Sequence, residues 1–235
     1  MCGRFTLSAN AQRLADFFPL FEIPSAPPRY NIAPTQTVLA VAQGENDQPR
    51  ASLLRWGLIP SWAKDKKISA SLINARADTV ATKPAFRAAF KRRRCLILAD
   101  GFYEWRKNVG PTFNSGDSGR SKAGPTKQPF HIRMTDNAPF AFAGVWEHWS
   151  GEEPAIDSCS IITTAANDVL RPLHDRMPVI LSPKDYGRWL DPKISDPGVL
   201  QEMLQPYPCE PMIAVPVGLY VNNARNEGAE CLTQA

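Results

Sequence analysis

The spacing of hydrophobic and polar residues predicts a chain built mostly of short strands. Residues 36–43 (QTVLAVAQ) and 51–56 (ASLLRW) are typical of strands, and the polar segment 44–49 between them predicts a hairpin turn. Residues 95–105 (CLILADGFYEW) form an apolar run that an Asp-Gly pair interrupts, which predicts a strand, a turn and a second strand. Further strands are predicted at 129–134, 140–146, 159–164, 177–181 and 212–217.

Helical spacing is confined to shorter segments. Leu14, Phe17 and Phe18 predict a helix over 10–18, and a second helix is predicted over 84–94, beginning at a proline. Shorter helices are predicted at 165–173, 183–190 and 197–204. Because helices and strands do not alternate regularly, we predict an α+β fold with a mixed, mostly antiparallel sheet.

Length and composition limit the class of protein. The chain has 235 residues, of which 43% are hydrophobic, and this is enough for a core that needs neither disulfides nor a structural metal. Disordered and fibrous proteins are excluded, and we predict one domain over 1–235. The segment 107–128, rich in Gly, Ser, Pro and Lys, predicts a flexible surface loop inserted in that domain.

The cysteines and the amino terminus indicate the compartment. The five cysteines form no CxxC pair, which favours reduced thiols. The first ten residues lack the features of a secretory signal, and no apolar run approaches the roughly 18 residues of a membrane span. We therefore expect a cytoplasmic protein, nucleoid-associated if it is bacterial, with no membrane partner.

Cys2 is the first candidate for chemistry. Initiator methionine is commonly removed before a small residue, and its removal leaves Cys2 with a free thiol and a free amine. Reference pKa values of about 7.7–8.0 for the amine and about 8.5 for the thiol leave both partly nucleophilic at cellular pH. The amine can form a Schiff base with an aldehyde, and the sulfur can then close a thiazolidine ring. The alternative is an inert residue that merely follows the start codon.

Three further residues carry groups that suit such chemistry. Glu104, between Tyr103 and Trp105, is expected to be partly desolvated, which raises a carboxyl pKa and favours proton transfer, whereas strand alternation would leave it solvated. His174 follows a predicted helix, where it serves either catalysis or the helix dipole. Asn74 orients an amine or thiol by hydrogen bonds, or belongs to a turn. The three histidines are not at metal-ligand spacing, so no metal site is predicted.

Positive charge is concentrated in one part of the sequence, although the net charge is only +4. Between 79 and 99 there is no acidic residue, and in a helix Arg87, Lys91 and Arg94 would form one basic stripe. Such a stripe suits a phosphate backbone, and a solvated helix face is the alternative. Further candidates for nucleic-acid contact are Arg4, Arg29 and Arg76, with Trp56 and Trp62 as stacking platforms for unstacked bases.

Seven motifs occur together along the chain. They are Met1–Phe5 (MCGRF), Arg29–Pro34 (RYNIAP), Trp56–Trp62 (WGLIPSW), Ile73–Thr79 (INARADT), Asp100–Trp105 (DGFYEW), His174–Pro178 (HDRMP) and 223–230. In this combination the chain resembles the SRAP family, the SOS-response-associated peptidases. The resemblance implies a barrel-like core with peripheral helices, and a protein that senses abasic sites in single-stranded DNA and attaches to them covalently. It also implies removal of the protein's own leading methionine. Because a carbonyl captured as a Schiff base allows β-elimination, we also expect weak lyase activity, and the sequence gives no sign of a cofactor.

The resemblance also implies a role for each catalytic residue. The family's nucleophile, positioning asparagine, acid/base glutamate and histidine correspond to Cys2, Asn74, Glu104 and His174. The Cys2 amine attacks C1′ of the ring-opened deoxyribose, Glu104 transfers protons and the thiol closes the ring. His174 polarises a sugar oxygen, and Asn74 holds the Cys2 backbone.

The DNA contacts are transferred with one substitution. Arg4, Arg76 and Arg176 stand in or near the motifs and are predicted to contact phosphates. Pro84 stands where a bacterial member of the family carries such an arginine, so that role moves to Lys83 or Arg87.

Two other functions remain open. A cysteine peptidase acting on other proteins would use Cys2 as thiolate, His174 as base and Asn74 as orienter. It needs the thiol and not the free amine. A nucleic-acid-binding module without chemistry would keep its full activity when Cys2 is replaced by alanine.

Overall fold

The computed structural model describes residues 2–44, 48–106 and 127–235, and short strands dominate these residues. The strands are β1 Phe5–Leu7, β2 Arg29–Ile32, β3 Thr37–Gln43, β4 Pro49–Trp56, β5 Asn74–Arg76, β6 Arg94–Ala99, β7 Gly101–Arg106, β8 Gln128–Met134, β9 Phe140–Trp149, β10 Ile156–Ala165, β11 Arg176–Pro178, β12 Ile180–Leu181 and β13 Met212–Pro216. The α-helices are α1 Ala11–Phe17, α2 Arg87–Arg92, α3 Tyr186–Leu190 and α4 Pro197–Glu202. Short 3₁₀ helices cover Lys66–Ser71, Pro183–Asp185, Leu219–Asn222 and Ala229–Leu232.

The larger sheet closes on itself. Its strands pair in the order β10, β4, β3, β6, β9, and β9 pairs in turn with β10, so five strands form a ring. Every residue of β6 is buried, as expected for a strand covered on both faces. The predicted α+β class, with mostly antiparallel strands, a barrel-like core and peripheral helices, is confirmed.

A second sheet of five antiparallel strands packs against this barrel. Its order is β13, β8, β7, β1, β2. Phe5 of β1 and Phe102 of β7 place their rings 5.7 and 6.0 Å from that of Phe142 in barrel strand β9. Because side chains alternate along a strand, Glu104 shares the face of Phe102 and is turned toward the barrel.

Several elements agree with the sequence pattern. The helix predicted over 10–18 is α1, and Asn10 caps it by accepting a hydrogen bond from the Arg13 amide. The predicted hairpin is β3 and β4. The run 95–105 divides into β6 and β7 as predicted, but the two strands belong to different sheets.

Three predictions of local structure are wrong. The helix predicted over 84–94 is limited to α2, because the chain leaves the helix at Arg93 and begins β6 at Arg94. The segment 165–173 forms turns instead of a helix, and the side chain of Asn167 accepts the Leu170 amide there. The predicted loop 107–128 ends too late, since Gln128 starts β8, and its residues 107–126 lie outside the described residues.

No helix among the described residues has the length and apolar character needed to cross a bilayer. The longest α-helix there, α1, has seven residues.

Candidate active site

Strand β5 places Asn74 next to Cys2, near the amino terminus. It pairs in parallel with β10, where Asn74 lies opposite Ile161. Nδ2 of Asn74 donates a hydrogen bond to the carbonyl oxygen of Cys2 at 2.8 Å. Two residues that are 72 positions apart in sequence are therefore joined directly, and the backbone of Cys2 is fixed by a side chain.

The Cys2 side chain is fully buried, and its Sγ lies 3.9 Å from the carbonyl oxygen of Arg4. Burial, and then the nearby Glu104 carboxyl, raise the pKa of the Cys2 thiol far above its ordinary value. The thiol therefore keeps its proton at neutral pH. In the chain that starts with Met1, a ligand has no direct access to this sulfur.

Glu104 is a buried carboxyl beside Cys2, with 4% of its surface exposed. Burial raises its pKa, and the positive charges of the chain's amino terminus and of His174 oppose that shift. The alternative of a solvated carboxylate is wrong. Its desolvation comes from the barrel behind β7, since Tyr103 points to the opposite face and packs with Val217 and Val221.

His174 lies in the turn before β11 and is half-buried. Its Nδ1 accepts a hydrogen bond from the Arg176 amide at 3.0 Å and lies 2.7 Å from Oδ1 of Asp175. The two contacts need different protonation states of Nδ1, because an amide can donate only to an Nδ1 without hydrogen, whereas contact with a carboxylate oxygen requires an N–H.

Glu104 and His174 line the same cavity, which has a volume of about 930 Å³. Its described lining consists of Arg4, Glu104, Trp105, Arg106, Lys127, Pro172, Leu173, His174, Asp175 and Asn222. Cys2 lies behind this wall, next to Arg4 and Glu104. The cavity is large enough for a nucleotide-sized ligand. In the described part of the chain, no three His, Cys, Asp or Glu side chains are grouped so that they could hold a metal.

Sequence reasoning predicted Arg4, Glu104 and His174 and missed the other residues of this lining. Among those missed are Trp105, Arg106, Lys127 and Asn222. Trp105 stands inside a motif already used for Glu104 and could have been included, because alternation along β7 does not prevent a large ring from reaching the strand's end. Asn222 directly precedes the motif 223–230, and its position had no local signal.

Arg76 and Arg176 lie on two strands that both pair with β10. Nε of Arg176 donates to Oγ1 of Thr163 at 3.3 Å, and its Nη2 donates to the Thr163 carbonyl. Burial, and then the charge of Arg76, lower the pKa of Arg176, which reflects the closeness of the two guanidinium groups. Arg76 is exposed and pairs with Asp78 through two contacts of 2.7 and 3.1 Å. The two arginines form a cationic pair that Asp78 partly neutralises.

The predicted basic stripe is only partly present. Lys83, Arg87 and Lys91 are exposed, and Arg87 and Lys91 line a second, open cavity of about 560 Å³. Arg94 is buried and donates to the carbonyl oxygens of Phe90, Lys91, Trp189 and Asp191. Arg94 therefore holds the ends of α2 and α3, and its assignment to the stripe is wrong.

The two predicted stacking tryptophans differ. Trp62 is 60% exposed, so its ring is accessible to a base. Trp56 is fully buried, with its ring 5.1 Å from that of Phe5 and its Nε1 donating to the Ile73 carbonyl. Its prediction as a stacking platform is wrong. Arg29 is engaged with Gln36 and Glu227.

Comparison with protein families matches residues 1–224 to the model described as SOS response associated peptidase (SRAP). The chain belongs to the SRAP family. This result confirms the resemblance that the seven motifs predicted. It also covers both the amino-terminal cysteine and the strands that surround it.

Relatives of this SRAP protein span bacteria and mammals. The abasic site processing protein YoaM of Bacillus subtilis is 43% identical over 240 residues, which cover 99% of this chain and 97% of YoaM. The abasic site processing protein YedK of Escherichia coli is 31% identical over 244 residues, 99% of each chain. The abasic site processing protein HMCES of Mus musculus is 33% identical over 205 residues, which cover 77% of this chain and 56% of HMCES.

Solved structures share the SRAP chain's fold. A protein from Bacteroides thetaiotaomicron matches with a TM-score of 0.76 at 23% identity, over the whole of both chains. A phage-related protein from Bordetella bronchiseptica matches with a TM-score of 0.70 at 27% identity, over 99% of each chain.

Proposed function

We propose that this protein captures abasic sites in single-stranded DNA and becomes covalently attached to them through Cys2 after Met1 is removed. The relatives described as abasic site processing proteins support a role at this lesion. The observation that carries the proposal is the 2.8 Å hydrogen bond from Asn74 to the Cys2 carbonyl, beside the buried carboxyl of Glu104. A fixed Cys2 backbone beside a carboxyl able to move protons supports a reaction at the nitrogen that processing frees.

In this reaction the abasic site reacts as the aldehyde of its ring-opened sugar. The Cys2 amine attacks C1′ of the ring-opened sugar and forms a carbinolamine, which loses water to give an imine. The thiol then adds across the C=N bond: sulfur bonds to carbon and its proton passes to nitrogen. The product is a thiazolidine, and one water molecule leaves for each link formed.

Glu104 suits both proton transfers because burial raises its pKa. In its protonated form it donates to the departing hydroxyl, and as carboxylate it accepts the thiol proton. The same steps run backwards allow slow release. An imine also permits β-elimination, so weak strand cleavage is included in the proposal as a side activity. Removal of the protein's own Met1 is a separate reaction, in which water is added across the Met1–Cys2 peptide bond, and it precedes capture.

His174 and Asn74 have supporting roles. The ring of His174 lines the cavity, where a ring N–H can donate to a sugar oxygen. Asn74 holds the Cys2 carbonyl, so that the freed amine starts from a fixed position.

The DNA backbone is assigned to the cationic residues around the cavity. Arg4 stands in the cavity wall, and Arg76 and Arg176 form the adjoining pair. Lys83 and Arg87 follow Arg76 in the sequence, and both are exposed, so they can contact further phosphates. Trp62 offers an exposed ring on which an unstacked base can stack.

The electrostatics disfavour the alternative of a thiolate peptidase. Such an enzyme needs a Cys2 thiol with a lowered pKa, and burial beside Glu104 raises it. An amine that attacks first does not need the thiolate. The proposal instead requires that removal of Met1 opens a path from the cavity to the Cys2 nitrogen.

Mass spectrometry of the protein mixed with an abasic oligonucleotide tests the proposal. We expect a protein that begins at Cys2 and a heat-stable adduct whose mass is that of protein plus oligonucleotide minus one water. Cys2→Ala should lose the heat-stable adduct and keep an imine that borohydride traps, because its amine remains. Cys209→Ala, at a half-buried free cysteine, is the matched control and should react normally.

Two outcomes would contradict the proposal. One is wild-type protein that retains Met1 and gives no adduct. The other is a wild-type adduct that survives when the amine is acetylated and the thiol is left free, which would favour thiolate chemistry.

A further inference from the structure

Three of the seven motifs, 29–34, 56–62 and 223–230, contribute none of the four catalytic residues. The structure places the first and the last of them against each other. Oε1 of Glu227 accepts a hydrogen bond from the Tyr30 amide at 2.5 Å, and Oε2 lies 3.3 Å from Nε of Arg29. The carboxyl-terminal segment is thereby attached to β2.

Asn31 is the buried centre of this attachment. Its Nδ2 donates to the carbonyl oxygens of Asn226 at 2.7 Å and Asn223 at 3.0 Å. Its Oδ1 accepts a hydrogen bond from Nη1 of Arg4 at 2.6 Å. Because Asn31 is fully buried, loss of these contacts would leave polar groups unpaired away from water. One amide therefore ties the carboxyl-terminal segment to Arg4.

Asn31 holds Arg4 and the carboxyl-terminal segment, and both of these parts of the chain reach the cavity. Arg4 lines it, and its Nη1 also donates to the Val221 carbonyl at 3.0 Å. Asn222 lines it too, and its Oδ1 accepts from Nε1 of Trp105 at 2.6 Å. The Arg4 guanidinium lies 5.7 Å from the centre of the Trp105 ring. These three side chains form one continuous wall.

We propose that Asn31 is a positioning residue for lesion capture: it fixes Arg4 and the segment 219–227 as a single wall of the cavity. The inference rests on the proposed function, because attachment to the lesion is its readout. Nη1 of Arg4 is committed to Asn31 and Val221, and Nε of Arg4 is buried without a hydrogen-bond partner among the described residues, so these two contacts and the Trp105 ring fix the guanidinium. Asn31 itself is buried behind Arg4 and acts through Arg4 and the segment 219–227.

The test separates binding from attachment. Asn31→Leu keeps the size of the side chain and removes its polar atoms. We measure the attachment rate to an abasic single-stranded oligonucleotide against protein concentration, which gives an apparent Kd and a limiting first-order rate. We expect the limiting rate to fall by about 10²-fold, as for a small displacement of a positioned group. Hydrogen exchange should increase in 219–227.

Three comparisons make the result decisive. Asn10→Ala removes the cap of α1 and destabilises the fold away from the cavity, so it controls for stability alone. Asn31→Leu should slow Arg4→Gln by less than it slows wild type, since only the part of its effect that passes through the segment 219–227 remains. Glu227→Ala frees the segment at an exposed site and should slow attachment several-fold, which decides the question if Asn31→Leu fails to fold.

The failures are distinguishable. If wild-type protein forms no adduct, the proposed function fails. If wild-type protein reacts and folded Asn31→Leu keeps its limiting rate within threefold, the positioning role is wrong. If Asn10→Ala slows attachment as much as Asn31→Leu does, loss of stability alone explains the slowing, and the positioning role of Asn31 is also wrong.

Discussion

Replacing Glu104 by glutamine should slow attachment to the lesion and, at pH 8, raise the stability of the fold. Glutamine keeps the shape and loses the ability to exchange a proton. General acid–base catalysis contributes about 10²- to 10⁴-fold, or about 3–5 kcal/mol of transition-state free energy. We therefore expect attachment to slow within that range, while binding to intact single-stranded DNA changes little because Glu104 carries no phosphate contact.

The stability effect follows from the sign of the pKa shift. Burial raises the folded-state pKa of Glu104, so the folded state holds that proton more tightly than the unfolded state does. The associated stabilisation is complete below the unfolded pKa of about 4.3 and is lost as the pH rises through the raised pKa. Since glutamine has no such charge, Glu104→Gln should melt at a higher temperature than wild type at pH 8, and this gain should shrink toward pH 4.

The assay combines two measurements on the same preparations. Single-turnover attachment is followed on denaturing gels from pH 5 to pH 9, and thermal unfolding is recorded over the same range. In wild type the rate should rise as the amine loses its proton and fall again as Glu104 ionises. A variant that attaches within threefold of wild type, or that melts below wild type at pH 8, would refute the role given to this carboxyl.

Three further predictions concern charge around the site. Asp78→Asn frees Arg76 from its ion pair, so single-stranded DNA should bind more tightly at low salt; unchanged or weaker binding in fluorescence anisotropy would contradict this. Arg94→Met should lower the free energy of unfolding by about 3 kcal/mol, because four carbonyl oxygens lose a buried cation, and it should leave the salt dependence of DNA binding unchanged. Arg87→Glu with Lys91→Glu should weaken binding and flatten its salt dependence, and an identical slope in a salt titration would remove α2 from the interface.

The sequence pattern predicted the long strands well and the short ones poorly. Strands such as β3 and β6 have six or seven residues, enough for their apolar character to be visible. β1 and β5 have three residues each, and no periodicity can be recognised over that length. Their pairing partners, far away in the chain, determine their conformation.

Charge in the sequence did not reveal burial. Arg94 continues the spacing of Arg87 and Lys91, and only the change from helix to strand at that residue turns its side chain inward. The sequence predicts one role for Trp56 and Trp62, since both carry large rings that can stack on a base. Strand pairing buries the first, and a turn exposes the second.

The candidate site could not be assembled from residue chemistry alone. On that basis Cys2 could equally be an inert residue after the start codon, and Asn74 could equally belong to a turn. The family resemblance grouped them, and the parallel pairing of β5 with β10 is the physical reason that they lie within hydrogen-bond distance. The residues of the lining that were missed, such as Asn222, depend on the path of the carboxyl-terminal segment, which no local pattern describes.

The dependence of the Cys2 contact on β10 has a consequence for biosynthesis. Asn74 holds Cys2 only when β5 is paired, and β10 ends at Ala165, so the amino terminus leaves the ribosome more than 160 residues before its docking partner is available. At a translation rate of about 5–20 residues per second, that interval is on the order of 10 s. Met1 would therefore be open to a cellular aminopeptidase during synthesis, whereas the self-cleavage that we propose would have to wait until β10 is made.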